Sequence, residues 1–340
     1  MKRILVAMSG GVDSSVAAAR LQEQGHEVIG VTMQLWDGAD AVAAARPVAE
    51  QLGIPFHTVE MQTSFNDQVV DPFVAEYLSG RTPNPCARCN KVIKFGQLLE
   101  LCDQWEADFL ATGHYVDLVQ HEGYWQLSKG VDRDKDQSYF LFALDQQQLA
   151  RCLFPLGRMS KDEVRHYAAA LQLSSADKAE SQDICFIPDG DYSRFLENYA
   201  ATEGKDGDII HMSGQVLGRH QGYYRYTIGQ RKGLGISWTE PLYVVAIDAA
   251  RNQVIVAEKE HLSRRTMLVD QCVWNLPEPV DGLELNCRIR NRHQEAPALV
   301  EPQGNQQFKV SFSTPQQGIT PGQAAVFYAG ERIVGGGWIR

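Results

Sequence analysis

Apolar residues in the first third of the chain come in short runs separated by amphipathic stretches. Ile4–Met8, Val28–Met33, Phe56–Met61 and Asp108–Thr112 read as strands. Between them, Ser14–Gln24, Ala39–Leu52, Phe65–Leu78 and Lys94–Trp105 place apolar residues at helical spacing. Strand and helix in alternation predict an α/β domain, with a doubly wound parallel sheet covered on both faces. Residues 145–200 read as mostly helical, and Ser160-Lys161-Asp162-Glu163 opens one helix as a capping box. From about residue 203 the pattern turns to short β-rich runs broken by Gly and Pro, among them Tyr243–Ile247, Val254–Ala257, Phe308–Phe312 and Ala324–Tyr328. These predict one or two small β domains.

The first strand runs straight into Ser9-Gly10-Gly11-Val12-Asp13-Ser14-Ser15. Strand, small-residue loop and helix start form a phosphate site: the glycines let the backbone curl into a nest of N–H donors, and the helix N-terminus adds partial positive charge. No Gly-Lys-Ser/Thr follows, which excludes the Walker-type loop. In an open parallel sheet such a loop lies beyond the carboxyl ends of the strands, where ligands bind.

Composition narrows the picture. With 340 residues there is room for two or three domains. No apolar run approaches the length of a membrane span, and the stretch after Met1-Lys2-Arg3 is too short for a signal peptide, so no membrane role is expected. Seven cysteines, an odd number, read as reduced thiols in a cytoplasmic protein. The net charge of −10 argues against non-specific nucleic-acid binding by the whole molecule. Its distribution says something different. No acidic residue lies between Glu76 and Glu100, where Arg81, Arg88, Lys91 and Lys94 fall, nor between Asp208 and Glu240, where Arg219, Arg225, Arg231 and Lys232 fall. Arg288, Arg290 and Arg292 would leave one face if their segment is a strand. Three basic patches on an acidic chain suggest RNA held at several points.

The segment Gly80-Arg81-Thr82-Pro83-Asn84-Pro85-Cys86-Ala87-Arg88-Cys89-Asn90-Lys91 reads as a Pro-rich loop whose cations, Arg88 and Lys91, favour thiolate at its cysteines. Cys185 lies in a second Pro-bounded loop, Ser181-Gln182-Asp183-Ile184-Cys185-Phe186-Ile187-Pro188. Several chemistries are open to these thiols. A zinc site lacks a fourth ligand. A thioredoxin-like pair should start a helix after a strand rather than follow a Pro-rich loop. A four-iron four-sulfur cluster on Cys86, Cys89 and Cys185 is chemically reasonable. A nucleophilic thiol paired with a sulfur-carrying persulfide is the leading reading. Cys102, Cys152, Cys272 and Cys287 read as core thiols.

Six motifs then occur in order: Ser-Gly-Gly-Val-Asp-Ser, Thr-Pro-Asn-Pro-x-x-x-Cys-Asn-Lys-x-Ile-Lys-Phe, Ala-Thr-Gly-His-Tyr, Lys-Asp-Gln-Ser-Tyr-Phe-Leu, Ser-Gln-Asp-Ile-Cys-Phe-Ile and Tyr-Thr-Ile-Gly-Gln-Arg-Lys-Gly-Leu-Gly. The first resembles the pyrophosphate loop of ATP pyrophosphatases. Together, essentially end to end, they resemble the bacterial tRNA-specific 2-thiouridylases. The resemblance implies an ATP-pyrophosphatase domain with a helical extension over residues 1–202, a small central domain over 203–260 and a C-terminal β-barrel over 261–340. It implies that the C2 oxygen of the wobble uridine is adenylated and that sulfur displaces AMP. It places Ala7, Met8, Ser9, Gly10, Gly11, Val12, Asp13, Ser14, Met33 and Gly113 around ATP. Cys89 matches the nucleophile, and Cys185 the persulfide cysteine loaded by a sulfur carrier or cysteine desulfurase. Asn84, Pro85, Cys86, His114, Lys135, Asp136, Gln137, Arg290, Asn291 and Gln323 match tRNA-contacting positions, with tRNAs for Lys, Glu and Gln as implied acceptors. No resident metal site is expected.

The chemistry is coherent. Oxygen at C2 leaves poorly until adenylation makes AMP the leaving group, and a neighbouring thiol can release the sulfur by forming a disulfide. Mg2+ would offset charge on the pyrophosphate, with Asp13 either assisting it or capping the helix. The chain departs from the family twice: some relatives carry Asp at the position of Cys86, and the stretch Asp37-Gly38-Ala39-Asp40 is shorter than theirs. An amide-forming ligase would need an ammonia source, and a non-catalytic tRNA binder would have no use for both an intact loop and both thiols. An iron–sulfur-dependent thiolase is the remaining alternative.

Overall fold

A computed structural model of the chain describes residues 1–36, 41–176, 184–201 and 204–340. Asp37–Asp40, the start of the expected Ala39–Leu52 helix, Ser181–Asp183 of the Cys185 motif and the 202/203 boundary lie outside the described residues.

The α/β part contains β1 (Arg3–Ala7), α1 (Val12–Glu23), β2 (Glu27–Gln34), α2 (Ala41–Leu52) and β3 (Phe56–Glu60). A helical run follows, α3 (Gln62–Phe65) and α4 (Asp71–Leu78), joined by a π-helical turn at Asn66–Val70. A second run comprises α5 (Pro85–Cys89), a π-helical stretch at Asn90–Gln97 and α6 (Leu98–Gln104), and leads to β4 (Phe109–Ala111). The hairpin β5 (Val116–His121) and β6 (Tyr124–Lys129) comes next, then α7 (Gln146–Leu149), β7 (Cys152–Leu153), α8 (Lys161–Ala170) and α9 (Tyr192–Tyr199). Strands β3, β2, β1, β4 and β7 lie in that order in one parallel sheet. The order reverses direction between β1 and β4, so the crevice at their carboxyl ends is the expected ligand position.

The second helical run corrects the reading of residues 80–91 as an extended loop. Asn84 caps α5, its side-chain oxygen accepting from the Ala87 N–H at 3.2 Å, with Pro85 at the first helical position. Proline there has no N–H to leave unsatisfied and a backbone angle already suited to the helix. The capping box at Ser160 forms as expected, with Glu163 returning a hydrogen bond to the Ser160 N–H at 2.7 Å.

The β-rich half forms two units. Strands β8 (Asp206–His211), β9 (Val216–Gln221), β10 (Leu242–Asp248) and β11 (Gln253–Glu258) make a four-stranded sheet. Strands β12 (Ser263–Trp274), β13 (Leu283–Arg288), β14 (Ala296–Gly304), β15 (Gln307–Gln317), β16 (Ala324–Ala329) and β17 (Arg332–Ile339) form a barrel in the order β12, β15, β14, β13, β16, β17, which β12 closes by pairing with both β15 and β17. Its interior holds Val300, Phe308, Val310, Phe327 and Val334, all fully or almost fully buried. The hairpin β5–β6 extends the barrel sheet, with Ser128 opposite Arg332. Its turn, Glu122-Gly123, has positive φ at both residues, the conformation that matches strand twist in a two-residue hairpin. The α/β unit and the barrel are thus tied by a strand of one added to the sheet of the other.

Candidate active site

The loop after β1 is shaped by its own side chains. Ser14 Oγ accepts from the Ser9 N–H at 3.2 Å and donates to the Gly11 carbonyl at 3.1 Å, and Ser15 Oγ donates to the same carbonyl at 2.9 Å. Met8 is pinned to β2: its N–H bonds the Val31 carbonyl at 2.8 Å, and its own carbonyl accepts from Thr32 Oγ1 at 2.6 Å. Gly10 has φ of +73°, and a Cβ there would stand 2.4 Å from the Ala44 Cβ on α2. No side chain caps α1, whose N-cap is Gly11, so its first N–H groups face the crevice. Gly113, just past β4, abuts this end: a Cβ on it would lie 2.7 Å from the Ser14 nitrogen. Ala7, Val12 and Met33 flank the loop from β1, α1 and β2, with Val12 buried and Met33 half-buried.

Asp13 neither caps α1 nor stands ready for a metal ion. Both of its oxygens accept from the Lys161 ammonium, at 2.8 and 2.9 Å, and Oδ1 also accepts from the Tyr115 hydroxyl at 2.6 Å. Lys161 comes from α8, its side chain only 7 % exposed. A buried lysine needs such a partner, because an uncompensated charge in that environment is costly. The pair therefore fixes α8 against the start of α1, and sequence reading missed it; Lys161 showed there only as part of a capping box.

The three candidate sulfurs come together from two segments. Cys86 and Cys89 lie on α5, and Cys185 lies between α8 and α9. Phe186, 3 % exposed, anchors Cys185 by packing on Phe65, Phe73 and Phe195 at ring separations of 5.6, 5.2 and 5.3 Å. Arg88 of α5 donates to the Gln68 carbonyl on the neighbouring helical run, so both segments share one support. Cys86 and Cys185 are exposed, whereas Cys89 is buried. Burial pushes the Cys89 thiol up to about 12, and the nearby Lys94 ammonium opposes that rise. Cys86 and Cys185 are also raised by the protein around them and eased by the same Lys94; at Cys185 its own N–H and that of Phe186 also favour thiolate. Cys86 feels the charge of Cys185, and Cys89 feels both of the others. The cation that counts is therefore Lys94, not Arg88 or Lys91, whose charges desolvation disfavours. Lys94 is half-buried and makes no hydrogen bond or ion pair among the described residues.

His114 links the two halves. It follows Gly113, hydrogen-bonds Thr112 Oγ1 through Nδ1 at 2.8 Å and lies against Phe95 at 5.9 Å. Desolvation, then the charge of Lys94, holds its ring well below the ordinary histidine value, so it is neutral near pH 7.

Other expected contact residues take part in hydrogen bonds and ion pairs within the protein. Asn84 and Pro85 are buried at the start of α5. Asp136, 3 % exposed, accepts from the Ser138 hydroxyl at 2.8 Å and pairs with Arg288 at 3.2 Å. Gln137 and Tyr115 exchange hydrogen bonds at 3.0 Å, and the Lys135 N–H bonds the Asp132 carboxylate at 3.3 Å. Gln323 donates to the Thr82 and Pro83 carbonyls at 3.0 and 3.1 Å, docking the barrel on the segment before α5. Strand β13 ends at Arg288, so the three arginines do not share a strand face; Arg288 turns inward, while Arg290 and Arg292 line an open groove of about 520 Å³ with His293 and Gln316. Asn291 lies between them, half-buried in the turn after β13. Arg219, Arg231, Lys232 and Arg292 are exposed and make no ion pair among the described residues.

No group of three or more His, Cys, Asp or Glu side chains among the described residues converges to hold a metal ion. Cys86, Cys89 and Cys185 form no such group, and the alternative built on a four-iron cluster is left without support.

A Gly-rich loop at the switch point of a parallel sheet, with α1 opening onto it and barrels attached behind, defines an ATP-pyrophosphatase-type enzyme. Family models agree: the tRNA methyl transferase HUP domain matches residues 2–189, the tRNA methyl transferase PRC-barrel domain 193–258 and the aminomethyltransferase beta-barrel domain 264–339. A protein of Syntrophotalea carbinolica named tRNA-specific 2-thiouridylase MnmA is 57 % identical over 99 % of this chain and 98 % of its own length. Proteins of the same name from Geotalea uraniireducens and Geobacter metallireducens are 50 % and 49 % identical over 99 % of this chain, and over 95 % and 96 % of their own lengths. The chain belongs to the tRNA-specific 2-thiouridylase family.

Proposed function

We propose that this protein uses ATP to replace the C2 oxygen of a tRNA uridine with sulfur, the uridine being the wobble base. The observation that carries this reading is the continuity of two unlike sites. The phosphate loop and the thiol cluster are joined through Gly113, which abuts Ser14, and His114, which feels the Lys94 charge. In this reading an activated base formed at one is reached by the sulfur held at the other.

In this reading the N–H groups of the Ser9–Ser14 loop and of the first turn of α1 hold the phosphates of ATP. Gly113 keeps the crevice narrow where the adenylate forms, and Met33 walls it. Mg2+ bound with ATP would offset charge on the pyrophosphate, while Asp13, neutralised by Lys161, holds α1 in place. Cys185 carries the persulfide, delivered by a sulfur carrier or cysteine desulfurase, and its terminal sulfur attacks C2 as AMP departs. A thiol of α5 then releases the sulfur, Cys89 being the family's expected nucleophile. The base must leave its stack to reach this crevice, which suits a tRNA gripped by several units. Exposed Arg219, Arg231, Lys232, Arg290 and Arg292 supply phosphate contacts, and the acceptors are tRNAs for Lys, Glu and Gln. We divide the chain into a catalytic unit over 1–202, a central unit over 203–260 and a barrel unit over 261–340. The reduced thiols suit a cytoplasmic setting, and no helix among the described residues is long and apolar enough to cross a membrane.

The test is nucleoside mass spectrometry of unmodified tRNA incubated anaerobically with the protein, Mg-ATP and a persulfide donor. The reading expects 2-thiouridine and AMP in equal amounts. AMP without thiouridine would refute the acceptor assignment, and neither product would refute the reading as a whole.

A further inference from the structure

We propose that Cys86 and Cys89 work as a dithiol that resolves the sulfur-transfer intermediate at Cys185, with Cys86 attacking first and Cys89 second. This rests on the thiouridylase reading above and adds a third thiol to it.

The argument begins with exposure. A thiolate must approach a disulfide sulfur along the line of the bond it breaks, so both sulfurs must be reachable. Cys86 and Cys185 are exposed, and Cys86 lies near enough to feel the charge of Cys185, whereas Cys89 is 7 % exposed. Next comes helix geometry. Residues three apart share a helix face, so on α5 the Cys89 thiol lies one turn along from Cys86. An exposed thiol in the first turn of a helix with a buried one a turn later is the layout of a dithiol that forms and releases mixed disulfides. The Pro-rich approach argued against such a pair; the helix start at Pro85 restores it.

Lys94 is the third observation. It is half-buried without a partner among the described residues, and its charge favours the thiolate at Cys86, Cys89 and Cys185 alike. One cation thus serves whichever sulfur carries negative charge as the reaction moves along the three. The high pKa of Cys89, about 12, suits an attacker whose target is next to it on the same helix, because proximity compensates for a small thiolate fraction.

The steps balance. The terminal sulfur of the Cys185 persulfide bonds to C2 and AMP leaves, so C2 is joined to Cys185 through two sulfurs. The Cys86 thiolate attacks Cys185 Sγ; a Cys86–Cys185 bond forms, and the transferred sulfur leaves with the electron pair as the thiocarbonyl of the base. The Cys89 thiolate then attacks Cys86 Sγ, expelling Cys185 as a thiolate that takes up a proton. Two thiols are oxidised to one disulfide, and the sulfane sulfur is reduced by the same two electrons. A dithiol reductant returns Cys86 and Cys89 to thiols before the next cycle.

The experiment is a single turnover of the full chain, preloaded with persulfide and free of reductant, on unmodified tRNA with Mg-ATP. Acid-quenched, alkylated protein is mapped by peptide mass spectrometry while thiouridine is counted. Wild type should end with a Cys86–Cys89 disulfide and Cys185 as a free thiol. Cys89→Ser should trap a Cys86–Cys185 disulfide with one thiouridine made, and Cys86→Ser should lower thiouridine at least ~10-fold. A Cys89–Cys185 disulfide in wild type, or an undiminished yield from Cys86→Ser, overturns the dithiol. The wild-type map does not depend on how any variant folds. Thiouridine made without the expected disulfide defeats this inference alone, whereas no thiouridine from wild type defeats the reading beneath it.

Discussion

Around Ser9–Ser14, the groups the site presents sit within a few residues of one another and are mostly backbone N–H donors. Around Cys89, they come from α5, the Asn90–Gln97 stretch and the segment at Cys185, and most are side chains. The phosphate loop has its hydrogen bonds filled locally and presents N–H groups whatever the pH. The thiol cluster presents groups in their less reactive protonated form, with one unpaired lysine to bias them. A preorganised electrostatic cradle and a deliberately quiet nucleophile suit the two jobs: one must hold charge at all times, the other must react only after the adenylate exists.

If the loop is a rigid cradle, crowding it should be the most damaging change. Gly10→Ala places a methyl group against Ala44 in a left-handed backbone conformation, and AMP formation should fall by at least ~100-fold with the fold retained. Pyrophosphate release alongside circular dichroism checks this. Removing Lys94, the cation at the thiol cluster among the described residues, should cost less. Lys94→Gln should slow sulfur transfer by roughly 10-fold while leaving AMP formation within about twofold, because thiolate is lost but the loop is untouched. The same contrast has a pH signature. With the Cys86 thiol raised above its ordinary value by the protein around it, its thiolate increases with pH throughout the neutral and mildly alkaline range. A thiol-limited single turnover should therefore rise up to ~10-fold per pH unit from 7 to 9, and the AMP-forming step should stay nearly flat. Rapid-quench measurement of both products across that range would separate them; parallel profiles would erase the distinction drawn here.

Two smaller effects sharpen how the sites are mounted. Asp13→Ala strands the buried Lys161 ammonium, and the loss should be about 2 kcal/mol, below that of a fully enclosed pair because the Asp13 side chain is one-third exposed. Urea unfolding reads it, and Asp13→Ala with Lys161→Met should recover most of the loss. Gln323→Ala removes two hydrogen bonds between the barrel and the segment before α5, worth about 1–2 kcal/mol. If Gln323 only docks the barrel, tRNA affinity should change less than about threefold. A larger drop in affinity at unchanged stability would return Gln323 to the RNA-binding surface.

The parallel sheet, the phosphate loop and the capping box at Ser160 were legible because each is written in neighbouring residues. The start of α5 was legible too, in Asn84 followed by Pro85, yet two prolines and two cysteines drew the reading toward a loop. The hairpin β5–β6 carried its turn signal at Glu122-Gly123, but nothing local announced that its second strand would extend the barrel at Arg332. Arg288 looked like one of three surface cations, and only a distant buried Asp136 turned it inward.

The division follows the range of the forces involved. Periodicity, glycine conformation and helix capping act over a few residues, so the sequence by itself determined the α/β class, the anion-binding loop, the ordered motifs and hence the family. Burial and electrostatics depend on what the folded chain brings alongside. Tertiary structure alone decided that Lys161 would neutralise Asp13, that Lys94 rather than Arg88 or Lys91 would face the sulfurs, and that Cys86 would stand exposed while Cys89 was enclosed. A thiol's reactivity depends on the water it has lost and the charge it faces, and neither can be counted along the chain.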